Sequence, residues 1–138
     1  PAWFRVIYCL GEVFVNFWDT TTHVYTPVHV GAVLGDCPAE GGAMGGQVGA
    51  VLGDCPAEGD AVGGLCGIAR QIASICRLDL FSTEIAWTED DRLLVVDYVN
   101  DPIDLRLQSR AADGVPDFIV ERIAARIADE LTAKADGV

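Results

Sequence analysis

The sequence predicts an α+β fold in which an antiparallel β-sheet is backed by two α-helices. Hydrophobic residues make up 51% of the 138 residues, enough for one packed domain. Several short runs rich in β-branched and aromatic residues are joined by glycine or acidic turns, which is typical of β-hairpins. Two longer segments instead repeat apolar residues every three or four positions, as helices do.

The beginning of the chain predicts three strands. The first runs from Phe4 to Leu10, Gly11 supplies a turn, and the second runs from Glu12 to Trp18 with alternating side chains. The segment from Thr20 to Val30 is rich in Thr and Val and predicts a third strand. Pro27 places this strand at a sheet edge or interrupts it, because proline has no N–H to donate.

A glycine-rich tandem repeat follows, within residues 30–65. The twelve residues Val30–Gly41 recur unchanged at Val48–Gly59, a period of 48 − 30 = 18 residues. Such a segment either donates backbone N–H groups to a phosphate or is a surface insertion, since longer loops cost little extra closure entropy. The segment has neither a P-loop pattern nor a nearby lysine, so the sequence does not favour phosphate binding there. We therefore expect an insertion within a single domain that spans residues 1–138.

The second half predicts a helix, a hairpin and a final helix. The first helix covers Ala61–Arg77, and the hairpin strands cover Leu78–Thr88 and Arg92–Val99. After a turn, the last helix covers Asp117–Ala133, with Asp117 as its N-cap.

The hairpin carries the candidate metal ligands. Glu84 lies in its first strand, and Asp97 and Asn100 lie at the end of its second. Hard oxygen donors of this kind suit Mg²⁺. Alternation along the strand places Asp97 on the same face as Leu93, Val95 and Val99. A carboxylate on such an apolar face is costly unless it is paired or bound to a cation.

The chain from about Leu65 to Ile127 resembles the C-terminal half of the ATP-grasp domain, the fold of the ATP-dependent carboxylate–amine ligases. The resemblance rests on the helix at 66–76, on the segment LDLF at 78–81 and on the run DYVNDPIDLR at 97–106. A weaker match covers FRVIYCLGEVF at 4–14, where the family has an Arg-bearing strand, a glycine turn and a returning strand.

This resemblance implies ATP and Mg²⁺ as cofactors. It implies that Glu84, Asp97 and Asn100 hold the metal ions of ATP and that Arg5 faces the phosphates. The family more often has its acid two residues before the Asn, whereas Asp97 lies three before Asn100. A ligand role for Asp97 therefore requires a strand bulge or twist. Arg106 is the candidate catalytic contact to a substrate carboxylate or phosphate, because its planar fork suits both.

Two alternatives stay open for this region. Arg106 and Asp104 form either part of that cleft or a mutual structural ion pair. The chain itself is either an ATP-grasp-like lobe that contributes Mg-ATP binding to carboxylate–amine ligation, or a non-catalytic self-assembling module derived from a truncated fold. In the second case we expect an exposed apolar patch within residues 1–18 that consists of Trp3, Phe4, Phe14, Phe17 and Trp18.

Charge limits the partners. The net charge is −12, which disfavours nucleic acid and anionic membranes, because both attract positive surfaces. Lys134 is the only lysine, whereas ATP-grasp enzymes supply lysines from a preceding lobe. We therefore expect a nucleotide together with either a completing protein chain or further copies of this chain.

The cysteines indicate the redox environment. There are five, an odd number, with no C-x-x-C element. This pattern favours reduced thiols in a cytoplasmic protein, with Cys66 and Cys76 on a buried helix face. The alternative is a Cys37–Cys55 pair within the repeat.

Overall fold

A computed structural model describes residues 1–30, 60–99 and 102–137. In this part of the chain, three strands precede the first helix, and two further strands precede the second. Their bounds, in chain order, are β1 Ala2–Cys9, β2 Glu12–Trp18, β3 Tyr25–Val30, α1 Asp60–Cys76, β4 Leu80–Trp87, β5 Leu93–Val99 and α2 Asp117–Asp136. The predicted α+β class, with an antiparallel sheet and two helices, is confirmed. Asn100, Cys37, Cys55 and repeat residues 31–59 lie outside the described residues.

All five strands belong to one antiparallel sheet in the order β3-β2-β1-β4-β5. The β1–β2 hairpin turns through Leu10 and Gly11, whose φ angles of 47° and 93° are both positive. Two consecutive positive φ values define the type I′ turn that matches strand twist, and glycine makes one of them easy to adopt. Pro27 lies in β3 at the sheet edge, as predicted.

Helix α1 packs against one face of the sheet. Its buried residues Leu65, Cys66, Ala69 and Ala73 recur every three or four positions, which places them on one side of the helix. Leu65 comes from the last residues of the repeat region, so this end of the repeat contributes to the core. The strand residues that share this cluster are Phe4, Val6, Val13, Val15, Phe81 and Ile85.

Helix α2 packs against one end of the opposite face. Ile119 and Ile123 form a second core cluster with Ile7, Cys9 and Phe14 of the two central strands. Successive side chains of a strand point to opposite faces, so β1 and β2 are buried on both sides. The helix does not extend over the whole face, and polar side chains occupy part of the remainder.

The predicted exposed patch in residues 1–18 is wrong. Phe4 and Phe14 are fully buried and Trp18 nearly so, while Trp3 and Phe17 are partly buried. These residues belong to interior strands with a helix on each side, so their apolar side chains supply both cores. The large apolar side chains exposed among the described residues instead include most of β5, namely Leu94, Val95, Val96, Tyr98 and Val99.

Two local expectations also need correction. Asp117 is the first residue of α2 rather than its N-cap; Pro116 takes the cap position, and the Asp117 carboxylate accepts a hydrogen bond from the Ser109 N–H. Cys76 is exposed rather than buried, because it is the last residue of α1. Cys9 is a free buried thiol, and burial raises its pKa to about 11, so it stays protonated near neutral pH.

Neither described helix is both long enough and apolar enough to span a lipid bilayer.

Candidate functional site

Four polar residues form a row across the sheet, on the face that α2 leaves partly open. Asn16 of β2 lies opposite Arg5 of β1, Arg5 lies opposite Glu84 of β4, and Glu84 lies opposite Asp97 of β5. Residues directly opposite each other in an antiparallel sheet project from the same face. We call these four residues the polar row. It brings together three of the residues predicted from sequence: Arg5, Glu84 and Asp97.

Arg5 is the centre of the polar row. Its guanidinium forms a salt bridge with Glu84, and each of the two side chains keeps about a quarter of its surface accessible, 25% and 26%. The guanidinium carbon also lies 4.1 Å from the centre of the Trp18 ring. On the same side, Arg5 Nη1 donates a hydrogen bond of 3.3 Å to the Tyr25 hydroxyl. Stacking and hydrogen bonding therefore fix the guanidinium plane, while part of it remains accessible to solvent.

A bulge in β5 determines where Asp97 points. Glu84 pairs with Asp97, but the next residue of β4, Ile85, pairs with Val95, so Val96 is the extra residue. The hydroxyl of Thr83 donates a 2.7 Å hydrogen bond to the Asp97 carbonyl beside this bulge. A bulge exchanges the faces of all residues beyond it.

The bulge corrects the predicted face of Asp97. Val95 shares a face with Ile85, on the α1 side, whereas Asp97 shares a face with Glu84. Asp97 therefore shares a face with Val99, as predicted, but not with Leu93 and Val95. The extra residue, Val96, precedes Asp97, so this bulge does not change the spacing of three residues between Asp97 and position 100.

Charge within the polar row is unbalanced. Glu84 and Asp97 are two carboxylates directly opposite each other, an arrangement that destabilises a strand pair. Arg5 supplies the single positive charge of the polar row, and it forms its salt bridge with Glu84. The Asp97 carboxylate accepts a 2.7 Å hydrogen bond from the N–H of Tyr98. A small pocket lies between these groups, lined by Arg5, Ser82, Glu84, Asp97, Tyr98 and Val99.

Arg106 lies in the segment between β5 and α2, within a cluster of carboxylates. Its guanidinium binds Asp104 through two nitrogens, at 3.0 and 2.8 Å, and Asp113 at 2.8 Å. The hydrogen bonds from Arg106 hold the pKa of both carboxyl groups below their usual value. This contact is the ion pair left open by the sequence. A substrate carboxylate would therefore compete with the two aspartates for Nε and Nη2 of Arg106.

The sequence reasoning did not identify Trp18 and Tyr25 as partners of Arg5. Both rings are nearly buried, and Tyr25 lies at the start of the edge strand β3. Burial raises the pKa of the Tyr25 hydroxyl, so it remains a neutral hydrogen-bond partner. Alternation along β2 could have indicated Trp18, because it places Trp18 on the same face as Asn16. Asn16 in turn lies opposite Arg5.

The donors present partly fit a magnesium ion. Glu84 and Asp97 offer hard carboxylate oxygens on one face, and Mg²⁺ commonly uses one or two carboxylates and completes its shell with water and phosphate oxygens. Within residues 1–30, 60–99 and 102–137, no three His, Cys, Asp or Glu side chains are grouped as a metal site. The third predicted ligand, Asn100, lies outside the described residues.

Comparison of the chain with protein-family profiles, with curated proteins and with solved structures finds no match.

Proposed function

We propose that this chain is an ATP-grasp-like lobe that contributes magnesium and phosphate binding to an ATP-dependent carboxylate–amine ligation. The observation that carries the proposal is the register of the polar row, in which Arg5, Glu84 and Asp97 project side by side from one face. The resemblance of residues 65–127 to the C-terminal half of the ATP-grasp domain implies that Glu84 and Asp97 bind metal, and the weaker match at residues 4–14 implies that Arg5 faces the phosphates.

Two facing carboxylates in the polar row favour a bound cation. Placing Glu84 opposite Asp97 is unfavourable for a sheet by itself, and only one arginine offsets it. A divalent cation between the two oxygens would remove that repulsion. Glu84, Asp97 and Asn100 would hold the ion, and its chemistry there would be to neutralise charge on the transferred phosphoryl group.

Because of Arg5, the metal should bind only together with the nucleotide. A lone Mg²⁺ at Glu84 would approach the guanidinium of Arg5, and the two positive charges repel each other. A phosphate group between them reverses the sign, because both cations then attract its oxygens. Arg5 is already oriented by Trp18 and Tyr25, so little side-chain entropy is lost when it binds a phosphate.

In the proposed reaction, a substrate carboxylate attacks the terminal phosphate of ATP, ADP leaves, and an amine then displaces phosphate from the acyl phosphate. Arg106 would hold the substrate carboxylate after exchanging Asp104 or Asp113 for it. The negative charge of the chain and its single lysine favour a second lobe or chain that supplies the remaining nucleotide contacts.

Titration calorimetry with Mg²⁺ and a non-hydrolysable ATP analogue tests this proposal. We expect the wild-type chain to bind the two together, and Glu84→Gln and Asp97→Asn each to weaken binding roughly tenfold or more, since even groups that only support a ligand are worth tenfold. Glu121→Gln and Asp129→Asn are the matched controls, because they remove the same charges from exposed positions on α2.

Arg5→Met gives the most discriminating result. Loss of the guanidinium should strengthen the binding of Mg²⁺ alone and weaken the binding of Mg²⁺ with nucleotide. If the wild-type chain binds neither, or if the control variants lose as much affinity as Glu84→Gln, the ligase proposal is wrong.

A further inference from the structure

The two edges of the sheet differ in how they are protected. At the β3 edge, Pro27 lacks an N–H, the register shifts beside it, and Gln108 donates a 3.1 Å hydrogen bond to the Tyr25 carbonyl. Proline and bulges are devices that prevent an edge from pairing with another strand. This edge is therefore poorly suited to accept a further strand.

The β5 edge has an apolar surface with few such devices. Its residues Leu94, Val95, Val96, Tyr98 and Val99 are between 39% and 52% exposed. Its protective features are the bulge and the single charge of Asp97, and the strand contains no proline or lysine. No strand among the described residues pairs with its outer side. Such a strand readily pairs with another extended chain.

We propose that β5 pairs antiparallel with β5 of a second copy of this chain, so that two five-stranded sheets join into one ten-stranded sheet. A two-fold axis perpendicular to the sheet generates this contact, and the same surface then serves both copies. The proposal is independent of magnesium and nucleotide binding, because strand pairing lies in the plane of the sheet whereas the polar row projects from one face.

The pattern of β5 is complementary to itself. Leu94 and Val99 lie on the α2 side of the sheet, and Val95 and Tyr98 lie on the α1 side, as their partners in β4 show. When Leu94 is placed opposite Val99 of the second copy, Val95 falls opposite Tyr98. Each face of the joint then gains two apolar pairs of the kind that stabilises antiparallel sheets.

Charge also favours this surface over others for self-association. The chain carries a net charge of −12, so most contacts between two copies place like charges together. In the register above, Asp97 lies opposite Val96 rather than opposite the second Asp97. The two Asp97 residues are then diagonal neighbours beside the two-fold axis, so the joined strands bring together only one carboxylate from each copy.

Sedimentation velocity over a dilution series tests the proposal. We expect the wild-type chain to be a dimer that dissociates on dilution within roughly 1 to 100 µM, and Val96→Lys to weaken association roughly tenfold or more. Ile75→Lys is the matched control, because Ile75 on α1 is even more exposed, 73% against 52%, and lies outside β5. This control should sediment as the wild type does.

Hydrogen exchange supplies a measurement that needs no variant. The amides of β5 should exchange more slowly as the wild-type concentration rises, while those of β3 should not change. Association that persists in Val96→Lys, or that is lost equally in Ile75→Lys, overturns the proposal. So does a wild-type chain that stays monomeric throughout, which would leave the strand to a different partner. Calorimetry of Glu84→Gln remains a separate test of the ligase proposal.

Discussion

The two faces of the sheet are built from the same strands but have different contents. On the α1 side, buried apolar residues continue from Val13 and Val15 across to Phe81 and Ile85 under the helix. On the α2 side, apolar packing occupies one end, and the polar row crosses the rest. Alternating side chains allow one set of strands to supply both surfaces. The α1 side is therefore filled with core side chains, whereas the side chains of Arg5 and Glu84 on the α2 side remain partly accessible to solvent.

The largest expected effect comes from the α1 face. Leu65→Ala removes a fully buried side chain between α1 and the sheet, and it should lower the free energy of unfolding by about 2 to 5 kcal/mol. Leu131→Ala is the control, since Leu131 is 64% exposed on α2, and its effect should be within about 0.5 kcal/mol. Urea unfolding measures both. Equal effects would show that α1 does not hold the core.

A smaller effect is expected where the α2 face meets its helix. Glu12 is buried at the start of β2, and Arg122 of α2 binds both its oxygens, at 3.0 and 2.9 Å. Glu12→Ala removes a buried hydrogen-bonded group and should cost about 1 to 3 kcal/mol. Glu130→Ala is the control, because Glu130 makes a surface pair with Lys134. An unfolding free energy equal to that of this control would make the Glu12 contact incidental.

In the polar row, loss of a carboxylate should not lower the free energy of unfolding. Asp97→Asn removes one of two facing carboxylates, so it should leave the free energy of unfolding unchanged or raise it by up to about 0.5 kcal/mol. The same substitution should weaken the binding of magnesium with nucleotide. Higher stability together with weaker binding is typical of substitutions at functional sites, where the native residues lower the stability of the fold. A clear loss of stability in thermal unfolding would instead make Asp97 a structural residue.

The smallest effect concerns Arg106 and depends on pH. Its hydrogen bonds lower the pKa of Asp104 and Asp113, so these carboxylates stabilise the fold when ionised. That contribution is present above their usual value of 3.8 and is lost as the pH falls through their lowered values. Arg106→Gln should therefore have a slightly lower Tm than the wild type near neutral pH.

When the pH falls below the lowered pKa values of Asp104 and Asp113, the two Tm values should converge, because both carboxyl groups are then protonated. Arg110→Gln serves as a control, since Arg110 lies in the same segment and is exposed. A Tm difference for Arg106→Gln that persists in acid would exclude the ion pairs as its cause.

Much of this fold could be predicted from the sequence because the signals were local. The turn at Gly11 and the apolar repeats of α1 and α2 depend on neighbours in the chain. The exposure of an apolar segment does not. Residues 1–18 and β5 have similar composition, but the first supplies interior strands and the second lies at an edge. Only the strand order separates them.

Part of the candidate site could also be predicted from the sequence. Arg5, Glu84 and Asp97 are charged residues within apolar strands, and the register brings them together. The face on which Asp97 lies depends on one extra residue in β5, and alternation alone cannot show where a bulge occurs. Contacts between distant segments, such as those of Arg5 with Trp18 and Tyr25, follow from packing that no local pattern encodes.

We propose that the polar row binds a metal ion together with a phosphate. Paramagnetic broadening of NMR signals by Mn²⁺ tests it most directly, with and without the non-hydrolysable ATP analogue. We predict that Mn²⁺ with the analogue broadens the amide signals of Glu84 and Asp97 and the Nε signal of Arg5. Signals of α1 should remain sharp, and Mn²⁺ alone should have a much weaker effect. If Mn²⁺ instead broadens signals elsewhere on this acidic surface, or broadens them equally without the analogue, the polar row is not the proposed metal and phosphate site.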